Sequence, residues 1–358
     1  MERPLVLVDP WPRRRRMIFT DAQWARLEAM AELVAGEGDA PVPAEQVEAA
    51  LPRVSAILGQ TDLPAERLAR APRLRALINV EGNFFANVDY EACFARGVEI
   101  LGVGPIFAVP VAEMALGLAL DLARGITAGD RAMREGREAY GLAGNREAFL
   151  LSRATIGIVG FGGLGRALRR LLAGFSADSL VHDPWLPDAA IRDEGCRPMA
   201  LDELLGQARV IFLCAGVTAE NEGFVGAREL GLIRDDAVLL LLSRAAIVDF
   251  GALMEEARSG RLRVATDVFP MEPVPPGDPV RGIEGLLLSS HRAGGIPEAF
   301  HDLGERVIDD LGLLLRGLPP ARLQPARRQT VALLRSKPGR SYTRDDEINQ
   351  RTSAPAGP

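Results

Sequence analysis

The chain predicts an α/β protein of two doubly wound domains, and three observations carry that expectation. Short apolar runs alternate with amphipathic helical stretches along most of its length, the pattern of parallel sheets with helical crossovers. A glycine-rich loop, Gly160, Gly162 and Gly165 in TIGIVGFGGLGRAL, stands between a β-rich run and a helix. At 358 residues the chain has the length of about two domains.

In the first third, strands are predicted at 4–9 (PLVLVD), 31–35 (AELVA), 56–59 (AILG), 76–80 (ALINV) and 99–103 (EILGV), with helices such as 21–30 (DAQWARLEAM) between them. A small flavodoxin-like domain fits this series. The helix beginning near Val109 is apolar on nearly every face, so burial between domains or subunits is expected. Its run VPVAEMALGLALDLA contains Glu113 and Asp121 and reads as too short and too charged to span a bilayer. Six further strands, at 155–160, 179–183, 210–214, 237–243, 264–268 and 285–290, suit a doubly wound nucleotide domain. The segment 297–318 then reads as one long helix ending near Gly317, and Ala321 to Pro358, rich in Arg, Ser and Pro without apolar periodicity, as a disordered tail.

Bulk properties remove several function classes. The formal net charge of −6 argues against a generally basic nucleic-acid surface. Arg13 to Arg16 could open an export signal, but Asp21, Arg26 and Glu28 interrupt the apolar segment that such a signal needs, so a soluble, cytoplasmic protein is expected. Three scattered cysteines, Cys93, Cys196 and Cys214, read as reduced thiols, and with three histidines they show no metal-ligand spacing, so no metal is expected.

The glycine loop has a chemical reading of its own. A pyrophosphate site needs a tight turn, then a residue without a side chain where the backbone meets the phosphates, then close packing of helix on strand. Asp183, at the end of the next predicted strand, can accept both ribose hydroxyls and would repel a 2'-phosphate, and no arginine stands directly after it. NAD is therefore expected over NADP, with the neighbouring His182 on the adenosine side.

Two further segments, LSRAAIVD (Leu242 to Asp249) and DVFPMEP (Asp267 to Pro273), precede SSHRAGG, which contains His291. An acid followed by an imidazole downstream of a nucleotide loop suggests a redox enzyme whose histidine is tuned by a carboxylate. In their order and spacing these motifs resemble the D-isomer-specific 2-hydroxyacid dehydrogenases, from roughly Asn79 to Leu315.

The resemblance implies two Rossmann-like domains, with a doubly wound NAD-binding domain at 109–292 inserted in a discontinuous flavodoxin-like substrate domain at 1–108 and 293–320, and a tail at 321–358. It implies Arg244 as the residue that grips the substrate carboxylate and stabilises the oxyanion, although Ala245 stands where the family usually has glycine. It makes His291 the proton donor, Glu272 its partner and Asp267 a contact at the nicotinamide end. Gly163, Leu164, Cys214, Thr218 and Ser243 join the cofactor-binding set. Val80, Glu81 and Gly82 take the place where backbone amides hold the substrate carboxylate. Glu81 is an unexpected acid there and is expected to face solvent, while Arg292 could reach a second anionic group. The implied function is interconversion of a small 2-hydroxy acid and its 2-keto acid with NAD, as a keto-acid reductase of the glyoxylate or hydroxypyruvate kind, in a homodimer without nucleic-acid or membrane partners. An NAD-responsive scaffold resembling the C-terminal-binding-protein corepressors is the alternative, supported by Arg13 to Arg16 and the basic tail.

Overall fold

The computed structural model describes residues 3–82, 84–175 and 177–333. The chain divides into two compact units, Met1–Gly104 with Phe300–Pro358, and Pro105–Ala299.

The first unit is built on β1 (Leu5–Asp9), β2 (Glu32–Ala35), β3 (Val54–Gly59), β4 (Ala76–Asn79) and β5 (Glu99–Gly102). These run parallel in the spatial order β5-β4-β3-β1-β2, the flavodoxin-like arrangement. Parallel strands are covered on both faces, which is why β1 and β4 are apolar runs and not alternating ones. The helix Asp21–Met30 starts at Thr20 with a reciprocal capping box: the Gln23 amide donates to Thr20 Oγ1, and the Thr20 amide to Gln23 Oε1.

The second unit contains β6 (Ile156–Val159), β7 (Ser179–His182), β8 (Arg197–Pro198), β9 (Val210–Leu213), β10 (Val238–Leu241), β11 (Arg263–Thr266) and β12 (Leu287–Leu288). All pairs are parallel, in the order β12-β11-β10-β9-β6-β7-β8. The chain therefore winds outward in both directions from β6, and the β6/β9 junction is the switch point at which such sheets open a crevice. The seventh strand, β8, corrects the six expected: Arg197–Pro198 has no apolar run and is a strand only because it pairs with Leu180 and Val181.

The helix Ala108–Arg124 buries Ala112, Ala115, Ala119, Leu122 and Ala123. The four alanines among them let it lie close against the helix Gly163–Leu172 and against β10 and β11. The expectation that this run is too short and too charged to span a bilayer fails on length and composition, because Gly104–Arg124 is 21 residues long and contains an 18-residue stretch of mean hydropathy 1.8. Its packing on the second unit's own sheet and helix accounts for the apolarity.

The tail expected from Ala321 is also corrected over its first part. Beyond the helix Pro297–Leu315, β13 (Gln324–Pro325) adds an antiparallel edge to β5, and a short helix stands at Arg328–Leu333. Asp310, fully buried on the long helix, explains this order: its two oxygens accept the amides of Ala321, Arg322 and Leu323. Leu323 and Ala326 are buried as well. A fixed acceptor for consecutive amides holds the chain where no apolar period announces it. Residues 334–358 lie outside those described.

Candidate active site

In the second unit the candidate residues lie at or beyond the carboxyl ends of strands: the glycine loop after β6, Asp183 after β7, Cys214 and Thr218 after β9, Ser243 and Arg244 after β10, Asp267 and, further along the same loop, Glu272 after β11, and His291 after β12.

The glycine loop is shaped by close approach. Gly160 has φ +90°, and a Cβ there would lie 2.5 Å from the amide nitrogen of Ala215, across the switch point. A Cβ on Gly165 would lie 2.5 Å from the Gly160 carbonyl oxygen, so that helix and strand could not pack as they do. Gly162 is different, for nothing stands within 4 Å of where its Cβ would be. This open position immediately precedes the helix Gly163–Leu172, whose amino end carries no side-chain cap. Uncapped amides and the positive end of a helix dipole suit an anion. Gly163 faces Ala108, and Leu164 packs on the core.

Asp183 ties this loop to β7: its Oδ2 accepts the Phe161 amide at 2.7 Å, and its Oδ1 accepts the Trp185 amide at 2.9 Å. Beside it lies a cavity of about 350 Å³ lined by His182, Asp183, Leu186, Pro198 and Met199 among others. His182 turns Nδ1 toward the Met199 carbonyl at 3.2 Å, so its polar edge is bonded to the protein.

Burial pushes the Cys214 thiol up to about 12, leaving a neutral side chain suited to packing. Thr218 is held by Asn221, whose Oδ1 accepts the Thr218 amide at 2.7 Å while its Nδ2 donates to Gly216 O at 2.7 Å. Asn221 is not among the residues expected from the sequence; an asparagine three residues after a threonine in a polar loop is the only local signal for it. Ser243 is buried and its Oγ has no hydrogen-bond partner. An unpartnered buried hydroxyl at this edge, an open glycine position, an uncapped helix end and the cavity beside Asp183 together fit an elongated nucleotide cofactor. Arg244 is extended in backbone, and its Nη1 donates to the Ser243 carbonyl at 2.6 Å.

His291 and Glu272 come together, with Nδ1 donating to Glu272 Oε2 across 2.5 Å. The other oxygen, Oε1, accepts the Phe269 amide at 2.8 Å, which fixes the carboxylate from behind. The His291 side chain is 46% exposed, so the ring remains accessible. His291 also has φ +51°, a left-handed conformation that costs a non-glycine residue about 1–3 kcal/mol and persists only where surroundings impose it. Asp267 supplies that constraint. It is 1% exposed, and its oxygens accept the amides of Arg292 and Ala293, each at 3.0 Å.

In the first unit, Val80, Glu81 and Gly82 come directly after β4. Asn79 shapes them, since its Oδ1 accepts the Glu81 amide at 2.7 Å and Gln60 Nε2 at 3.1 Å. The Glu81 amide is thus engaged within the protein. The Glu81 carboxylate corrects the expectation of a solvent-facing acid: it is paired with Arg13 at 2.7 Å, and its side chain is 20% exposed. Arg15 is occupied too, stacked 4.3 Å from the Trp24 ring centre. Among the described residues no group of three or more His, Cys, Asp or Glu could hold a metal ion.

A 3-2-1-4-5-6-7 sheet carrying a glycine loop, an acid after its second strand and an acid–imidazole pair defines a nicotinamide-nucleotide-dependent dehydrogenase. The family described as D-isomer specific 2-hydroxyacid dehydrogenase, NAD binding domain, matches residues 116–293. A crystal structure of a phosphoglycerate oxidoreductase from Rhizobium etli is 44% identical with TM-score 0.82, covering 91% of this chain and 99% of that one. The glyoxylate reductase of Korarchaeum cryptofilum is 28% identical over 263 residues, 72% of this chain and 78% of its own length. The D-3-phosphoglycerate dehydrogenase of Mycobacterium leprae is 30% identical over 272 residues, 75% of this chain but only 51% of its own, so the chain spans about half of that relative. The chain belongs to the D-isomer-specific 2-hydroxyacid dehydrogenases. It is accordingly an oxidoreductase acting on a CH–OH donor with NAD(P), and nothing in these comparisons supports the scaffold alternative.

Proposed function

We propose that the protein reduces a small 2-keto acid to the D-2-hydroxy acid with NADH, and the observation that carries this reading is the pairing of Glu272, in the loop after β11, with His291, beyond β12. The bound nicotinamide supplies the hydride. As negative charge grows on the substrate oxygen, Arg244 stabilises it with a permanent charge that cannot be given up as a proton. His291 then donates the proton from Nε2, since Nδ1 is committed to Glu272. We read Asp267 as a residue that holds the His291 loop through its backbone, in place of the direct nicotinamide contact expected from the sequence. Gly160, Gly162, Gly163, Leu164 and Gly165 would hold the pyrophosphate, with Thr218 and Ser243 further along the cofactor and Cys214 packing beside it. Asp183 favours NADH because a 2'-phosphate would meet its carboxylate. The first unit's loop at Val80 to Gly82 is the proposed substrate-carboxylate site.

The reductive direction draws on the glyoxylate reductase relative. Loss of NADH absorbance against glyoxylate, hydroxypyruvate, pyruvate and phosphorylated analogues tests the reading; no turnover with any of them would overturn it. Free cysteines at 93, 196 and 214 suit a reducing, cytoplasmic setting.

A homodimer belongs to the same proposal. The helix Ile126–Arg134 buries none of its residues, yet Ile126, Met133, Tyr140, Leu142 and Leu150 in and after it are exposed, Leu142 by 84%. Apolar side chains gathered on one segment suit a two-fold partner. Sedimentation at micromolar concentration is expected to show a dimer, and monomer alone would remove this part.

A further inference from the structure

We infer that the second unit carries an anion site at the amino edge of its sheet, where Arg209, Arg234 and Arg263 gather to hold a phosphate group, either inorganic phosphate or a small monoester. The site lies at the opposite end of the strands from the candidate active site, and no step of the proposed reaction uses it.

Backbone pairing sets the three arginines side by side. The Arg209 carbonyl accepts the Val238 amide at 2.9 Å, and the Arg263 amide donates to the Ala237 carbonyl at 2.9 Å, so these two residues flank the start of β10. Arg234 stands in the turn leading into β10, where its carbonyl accepts the Ala237 amide at 3.3 Å. Two of the guanidiniums then turn to one place, the last turn of the helix Ala108–Arg124. Arg209 Cζ lies 4.7 Å from the ring centre of Phe149, whose amide donates to Ala123 O at 3.0 Å, and Arg263 Nη1 donates to Leu122 O at 3.3 Å. Adjacent carbonyls of one helix end thus fix where both side chains go.

The protein leaves much of this charge without a partner. Among the described residues nothing accepts a hydrogen bond from the guanidinium of Arg209 or of Arg234, although Arg209 is half-buried. The Phe149 ring covers one face of Arg209, and the N–H edge keeps its donors for something else. Burial, and after it the charges of Arg234 and Arg263, pushes Arg209 below its ordinary value, with Asp236 acting in the other direction. Glu147 answers Arg263 at 3.4 Å from a side chain that is 84% exposed, and Asp235 is engaged with Arg261. A guanidinium keeps its proton under such repulsion, so a bound anion is what offsets the cost. A phosphate group suits the cluster because its three acceptor oxygens can take donors from three strand starts at once, whereas a carboxylate is filled by one planar fork. β9, β10 and β11 are four residues each, roughly 13 Å at the usual rise, which separates this edge from the cofactor loop.

The test titrates inorganic phosphate, and separately glycerol 2-phosphate, into the full chain by calorimetry at fixed ionic strength, with and without saturating NADH. Wild type should bind one phosphate group per chain with Kd below about 1 mM, changed by no more than about threefold when NADH is present. Arg209→Gln and Arg234→Gln should each weaken that binding about 10-fold, the scale of a single lost charge interaction, with the Kd for NADH unchanged. A monoester that binds as tightly as the free ion marks the site as open to phosphorylated small molecules, and one at least about 10-fold weaker marks it as a site for inorganic phosphate. No saturable binding of either compound would overturn the proposal. So would binding that NADH abolishes, which puts the phosphate in the glycine loop, or unchanged affinity in both variants. Should the arginines instead meet acids of a second copy, wild type would bind no phosphate and Arg209→Gln would sediment as a smaller species, which overturns it as well. Arg234 is exposed, so Arg234→Gln decides on the same criterion if Arg209→Gln fails to fold.

Discussion

Arg292 is joined to Asp267 through its backbone: the Arg292 amide donates to Asp267 Oδ1 at 3.0 Å, directly after the left-handed residue His291. The next amide, of Ala293, takes the other oxygen. The imidazole is thus aimed by a buried acid that it does not touch and held by an exposed one that it does, Glu272. Two carboxylates divide the tasks of orientation and charge.

His291→Ala is expected to lower kcat for keto-acid reduction by about 100- to 10,000-fold, the usual worth of a positioned general acid, with NADH binding retained. Stopped-flow NADH binding with steady-state kinetics checks both halves. A variant that kept wild-type turnover would remove His291 from proton transfer.

Glu272→Gln keeps the shape and removes the negative charge 2.5 Å from the ring. The ring then loses a charged acceptor for its Nδ1–H, so kcat for keto-acid reduction should fall by about 10- to 100-fold with NADH binding retained. Steady-state kinetics of the two proteins decide it, an unchanged kcat counting against the pairing.

Asp183→Ser removes the carboxylate that bonds the Phe161 amide and would meet a ribose substituent. NADH should bind more weakly and NADPH more tightly, narrowing the preference. Titration of both cofactors into both proteins measures the change, and tighter binding of NADPH by wild type would refute the assignment.

A chain ending at Pro320 should be less stable than one ending at Leu333 by about 3–5 kcal/mol, because Asp310 is left buried without its amides. Calorimetry should show the first unit melting roughly 10 °C lower. Equal stability would mean that 321–333 only rests on the surface.

Two thiols, Cys93 buried and Cys214 partly buried, set a pH dependence. Burial pushes Cys93 up to about 11 and Cys214 up to about 12, from an ordinary value of 9.0. Both are neutral in the native protein at pH 8, and the fully buried Cys93 should react with iodoacetamide only on unfolding. The unfolded chain gives up these protons first, so the thiols' contribution to stability is whole below pH 9 and declines as pH rises through the folded values. Urea midpoints at about pH 8 and about pH 10.5 should therefore differ less in Cys93→Ala than in wild type.

The strands that read directly from the sequence are those with four or more buried positions, such as β4, β6, β9 and β10. β8 and β13 do not, for each is two residues ending in proline and exists only through its neighbour. The site divides in the same way. Gly160, Asp183, Arg244, Glu272 and His291 stand in compact motifs, whereas Arg13 and Glu81 are each noticeable alone but lie 68 positions apart, and nothing local announces that they pair. Asp267 is visible as an acid in a motif, but its acceptor role on the 292–293 backbone is a property of the folded loop.

The placement of β13 bears on how the protein is made. β5 is complete by Gly102, yet the strand that closes its outer edge is not synthesised until Gln324 and Pro325, after the whole of the second unit. On the ribosome, at roughly 5–20 residues per second, that edge stays open for tens of seconds, with unpaired backbone groups that could template a neighbouring nascent chain. The second unit is contiguous and can fold as it emerges, while the first must wait for the segment that begins at Phe300.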